Sequence, residues 1–180
     1  MFDAAMNSES WIGLVGVIVG VMGLLIAAVT IWFTNKNNRQ QIVTGKLEQL
    51  FQAILVLSRY YGLFMEFWFK VQQLRDSNDK ELQTLEQYYK LRDQKLATDE
   101  RDKINEMLSR IMVLTECYTK DKLKREILDY ETLMYSFFEL VIQGGSIQQE
   151  IHFKNGYPDY DKFYSMVKGL LDDIVKEIKL

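Results

Sequence analysis

"WIGLVGVIVGVMGLLIAAVTIWF" occupies Trp11–Phe33, and its reading decides how the rest of the chain is understood. It carries no charge, and most of its residues are Leu, Ile, Val or Phe. About 20 apolar residues cross a bilayer, so a stretch of this length suffices with some tilt. At about 0.3–0.6 kcal/mol for each Leu, Ile, Phe or Val, insertion is favoured by several kcal/mol. A helix of a soluble domain is rarely apolar on all faces over such a length. A signal peptide has a positive n-region and an apolar core of about 7–15 residues. The preceding MFDAAMNSES holds Asp3 and Glu9 and no Lys or Arg. The expectation is an uncleaved transmembrane helix over 11–33, with 1–10 as a short extracytoplasmic tail.

Flanking charge sets the orientation. TNKNNRQQIVTGK follows the span, with Lys36, Arg39 and Lys46 and no acid. The positive-inside rule puts residues 34–45, a basic juxtamembrane segment, on the cytoplasmic side of the inner membrane and the N-terminus outside. Residues 46–180 then form a cytoplasmic domain. A lone cysteine, Cys117, excludes an intramolecular disulfide and a Cys-rich metal site. A net charge of −3 gives no sign of a strongly basic nucleic-acid binder.

The spacing beyond residue 46 is helical. Leu47, Leu50, Ile54, Leu57, Tyr61, Phe64, Trp68 and Val71 recur at steps of three and four, predicting one helix over 46–75. Phe51, Phe67 and Phe69 widen its apolar stripe. The stretch YYGLFMEFWF invites a second span, but Arg59, Glu66 and Lys70 oppose it at roughly 2.5–3.5 kcal/mol each near mid-bilayer. Asp76-Ser77-Asn78-Asp79 reads as a turn before a polar helix over 79–96 that stands away from the core. Thr98 is expected to cap a helix over 99–118, and Asp121 one over 122–143 ended by Gly144-Gly145. A short helix near 146–153, a turn at Asn155-Gly156 and a final helix opening at Pro158 complete an all-α domain of about five helices. Thr44-Gly45 is the expected place for a kink between span and bundle.

Chemistry is sparse. His152 is the single histidine, so nucleophilic triads and helix-borne His pairs for zinc are excluded within one chain. Gly45-Lys46 lies outside any phosphate-binding GxxxxGK[ST] setting. Asp99-Glu100 and Asp172-Asp173 stand beside lysines on helices, as solvated faces do. HEPN ribonucleases carry Arg, then four to six intervening residues, then His. The corresponding positions here are Gly145, Ser146 and Ile147, so SIQQEIHFKN offers no cation to stabilise a phosphorane. His152 is expected to be structural, or the remnant of a degenerate site. No cofactor or metal is expected.

Within the span the smallest residues, Gly13, Gly16, Gly20, Gly23, Ala27 and Thr30, follow a 3-4-3-4-3 pattern. Such a stripe keeps one helix face in a left-handed coil. In lipid, helices associate because small residues let backbones approach. The chain has one span, so a partner for this face comes from another copy. A ring of spans closes a pore, lined by apolar surface and gated by drying. Thr34, Asn35, Lys36, Asn38 and Arg39, with Asn37, would form its cytoplasmic mouth, and Ser8 and Ser10 its outer one. Tyr61, Trp68 and Tyr88-Tyr89 are expected on the surface through which bundles meet.

One N-terminal span, the Asn-rich basic junction NKNNRQQ and a compact helical domain resemble the small membrane accessory proteins of type VI-B CRISPR loci. The resemblance implies a homo-oligomeric pore in membrane lipid that strengthens antiphage defence by an RNA-guided RNA nuclease, with loss of membrane potential. It also implies a divergent HEPN-type Arg…His pair, which this chain lacks. Abortive-infection membrane effectors look similar. Two other readings stand beside the pore: a membrane-tethered scaffold or sensor for a cytoplasmic partner, and a membrane-anchored degenerate ribonuclease.

Overall fold

The computed structural model describes residues 8–75, 84–144 and 156–179. The turn expected at 76–79, Gly145, the helix expected at 146–153, His152 and Asn155 lie outside the described residues. Among those described, the protein is all-α, with six helices: α1 (Ser8–Ser58), α2 (Tyr61–Arg75), α3 (Leu85–Lys95), α4 (Thr98–Tyr118), α5 (Asp121–Gln143) and α6 (Tyr160–Ile178). The chain divides into two units, Met1–Val43 and Thr44–Leu180.

The first unit is the N-terminal part of α1. It contains a helix long and apolar enough to cross a membrane, with an 18-residue window of mean hydropathy 1.5, none of it buried. Its large apolar side chains stand in the open, from Leu24 at 74% to Phe33 at 52% exposed. That is far more exposed apolar surface than water tolerates on a monomer.

The second unit is a bundle built around α5. Leu123, Ile127, Tyr130, Leu133, Met134, Phe137, Phe138, Leu140 and Val141 are all buried, too many for one stripe, so α5 has neighbours on several sides. The end of α1 contributes Leu47, Leu50, Ile54 and Leu57 to this core, α4 contributes Ile104, Leu108, Ile111 and Leu114, and α6 contributes Phe163, Val167, Leu170 and Ile174.

The single helix expected over 46–75 is two helices. Ser58 Oγ donates to the Ile54 carbonyl at 2.7 Å, the back-bonding that bends helices. The Arg59 and Tyr60 amides then bond three residues back, to Val56 and Leu57, and α2 starts afresh at Tyr61. Thr44 and Gly45, the expected break, lie within α1. Tyr61, Phe64 and Phe67, in the stretch that invites a second span, are core residues.

Helix starts also differ. α3 begins at Leu85 because Thr84 and Gln87 form a reciprocal capping box, Thr84 Oγ1 accepting from the Gln87 amide at 3.3 Å and Gln87 Oε1 from the Thr84 amide at 3.1 Å. Thr98 is the first residue of α4 rather than its cap; the cap position is Ala97. Asp121 cannot cap α5, because a cap needs extended backbone and Asp121 is left-handed, with φ 49°; Lys120 holds that position. α6 opens at Tyr160 rather than at Pro158, and Asp159 caps it, its carboxylate accepting from the Lys162 amide at 2.9 Å.

The polar helix α3 does not stand away from the core. Tyr88 is buried, and α3 closes the C-terminus of α5. Gly144, left-handed at φ 65°, turns its amide to the Leu140 carbonyl. Tyr88 donates to Val141, Arg92 to Ile142 and Tyr89 to Gln143. Four carbonyls that a helix end leaves orphaned all have donors, and one donor is a cation at the negative pole of the helix.

Candidate functional site

The candidate site is the small-residue stripe of α1 with the polar junction that follows it. A β-carbon built at Gly16, Gly20 or Gly23 meets nothing within 4 Å. Among the described residues, nothing packs on these glycines. Ala27 and Thr30 are exposed beside them. Gly13 belongs to the same helix, but its surroundings lie outside the described set. Thr30 Oγ1 donates to the Ile26 carbonyl at 2.8 Å, so its hydroxyl is satisfied by its own helix and can sit in hydrocarbon at little cost.

The five residues assigned to a mouth do not share one face. At about 100° per residue, Thr34 and Asn38 fall on the side of Gly20 and Ala27. Asn35 and Arg39 fall beside that face, and Lys36 falls opposite it. Lys36 Nζ lies 5.5 Å from the centre of the Trp32 ring. Trp32 packs edge-on against Phe33 at 5.0 Å. Paired aromatics beside a cation are common where a helix meets a bilayer interface.

Two of the aromatics expected on a bundle-to-bundle surface are interior. Tyr61 stacks on Phe163 with ring centres 3.5 Å apart and donates to the Pro158 carbonyl at 2.6 Å. Tyr88 donates to the Val141 carbonyl at 2.6 Å. Burial pushes both phenols well above their ordinary pKa, as it does for Tyr130, whose hydroxyl sits 2.8 Å from Ser58 Oγ. Trp68 and Tyr89 are half-buried.

Sequence reasoning missed a groove of about 470 Å³ between the end of α1 and α6, floored by Phe51, Leu55, Phe163, Val167 and Leu171 and rimmed by Tyr160 and Tyr164. The signal was present: α6 carries exposed tyrosines next to its apolar stripe. Two other depressions are lined largely by charged residues, with Lys95 paired to Glu66 in one, and Lys122 and Lys176 to Asp173 in the other. Lys176, then Lys122, hold the Asp173 carboxyl below its usual range. Among the described residues no three His, Cys, Asp or Glu side chains gather as metal ligands.

No family model, curated protein or solved structure matches the chain. The functional reading therefore rests on the uncovered stripe, the polar junction and the groove.

Proposed function

We propose that this protein is a non-enzymatic, single-pass membrane protein whose spans assemble through the Gly16–Thr30 face into a ring that perturbs or perforates the membrane. The observation that carries the reading is the open surface at Gly16, Gly20 and Gly23, on a helix whose large apolar neighbours stand uncovered from Val19 to Phe33. Lipid alone covers apolar side chains, but a row of small residues gains from a second helix that approaches closely. Lys36, Arg39 and Lys46 support an orientation with the N-terminus outside and the bundle in the cytoplasm of a bacterial cell. The resemblance to the type VI-B accessory proteins supports a role in antiphage defence, beside an RNA-guided RNA nuclease.

The test is the mass of the full chain in lipid nanodiscs or detergent, together with membrane potential in expressing cells. The wild type is expected as an oligomer that depolarises the membrane. Gly16→Leu with Gly20→Leu is expected to give monomers and no depolarisation, with an unchanged bundle. A wild-type monomer would remove the proposal.

A further inference from the structure

We infer that the α1–α6 groove receives the α4 ridge of a second copy of this chain, so that neighbouring bundles join head to tail. The inference rests on the self-association proposed above.

The groove is apolar at its floor and cationic at its edge. Arg59 and Lys168 both line it, and among the described residues neither has an ion-pair partner. Asp172 also lines it, leaving the rim positive by one charge. Leu55 is 40% and Tyr164 60% exposed, so the floor and rim are open to an occupant.

The matching shape lies on α4. Met112 and Val113 are 47% and 57% exposed, an apolar knob with nothing packed on it. Asp102, Glu106, Ser109 and Val113 recur at steps of three and four and so share one face. Asp102 and Glu106 have no ion-pair partner among the described residues, whereas Glu116 is held by Lys124 at 2.5 Å. An apolar knob flanked by Asp102 and Glu106 meets an apolar groove whose rim carries a net charge of +1, and complementary potentials of this kind fix register and partner choice.

The two surfaces are different patches of one chain. Such a contact is heterologous, and heterologous contacts generate rings when the rotation closes. A two-fold dimer would instead need groove and ridge to lie within one self-complementary patch.

The lone Cys117, exposed and one turn beyond Val113, provides the test. The full-length wild-type chain is mixed in lipid with a size-tagged chain carrying Tyr164→Cys and Cys117→Ser, and a mild oxidant is added. A cross-link between the two chain types is expected. Lys168→Glu in the tagged chain should abolish it, and Glu106→Lys in the wild-type chain should restore it. Links that form only within one chain type would overturn the inference. Mass measurement of the same sample separates the two failures: an oligomer without the mixed link removes the groove contact alone, and a monomer removes self-association as well.

Discussion

The Tyr88 hydroxyl donates to the Val141 carbonyl oxygen at 2.6 Å, joining a short polar helix to the last turn of the central one. Both partners are buried, and Arg92 and Tyr89 continue the clamp on the next two carbonyls. Tyr88→Phe keeps the ring and its packing against Phe67 but removes the donor. A buried carbonyl left without a partner costs about 1–3 kcal/mol. Chemical denaturation of the full chain should show that loss with little change in helix content, and a variant as stable as the wild type would contradict the clamp.

Three buried phenols make the bundle sensitive to alkali. Burial holds Tyr61, Tyr88 and Tyr130 protonated well above the usual tyrosine range, Asp159 reinforcing this at Tyr61, while the Ser58 bond partly opposes it at Tyr130. Their folded pKa values are raised, so their contribution is complete below about pH 10, where the unfolded phenol titrates. As pH rises past that point the unfolded chain releases protons that the folded chain retains. Each phenol then costs about 1.4 kcal/mol of stability per pH unit. Tyrosinate absorbance should show these three appearing together with loss of helical circular dichroism.

The long apolar N-terminal helix and the end of α5 at Gly144 were legible because each has a local signal: an uncharged run and a glycine free to turn left-handed. The break after Ser58 was not. The apolar register runs unbroken from Leu57 to Tyr61 to Phe64, with no Pro, and the break is marked only by a serine hydroxyl turned onto its own backbone and two three-residue amide bonds. Tyr61 and Tyr88 were misplaced because a tyrosine on a helix looks the same whether its hydroxyl meets water or a carbonyl 97 or 53 residues away. The capping box of Thr84 and Gln87 was readable, and a helix started too early at residue 79 concealed it. At the candidate site, the stripe followed from spacing alone. The division of its polar junction needed the ring of Trp32 under Lys36.

Two glycines should respond in opposite directions to the same change. Gly169 lies inside α6, and a β-carbon added there would meet nothing within 4 Å. Gly169→Ala should raise stability by about 0.5–1 kcal/mol, through reduced chain entropy in the unfolded state. Gly144 has φ 65°, and a β-carbon there would lie 3.1 Å from Leu85 Cδ2. Gly144→Ala should destabilise by about 1–2 kcal/mol, the cost of left-handed backbone for a residue with a β-carbon. Thermal unfolding of the two variants beside the wild type reads both signs in one experiment.

A division of the junction into two faces yields a test that the stripe alone does not. Asn38 shares the face of Gly20 and Ala27, whereas Lys36 lies opposite and covers Trp32. If copies ring a pore, a charge placed at Asn38 repeats around its cytoplasmic mouth, where rings of acids favour cations. Asn38→Asp should therefore shift the reversal potential of purified protein in planar bilayers, under a salt gradient, toward that of the cation. Lys36→Gln should leave the reversal potential unchanged and instead weaken retention at the membrane, since the ammonium's contact with the ring is worth about 0.5–1 kcal/mol at an exposed site. A reversal potential that follows Lys36 and ignores Asn38 would put the lumen on the Lys36 side of the helix and Asn38 away from it.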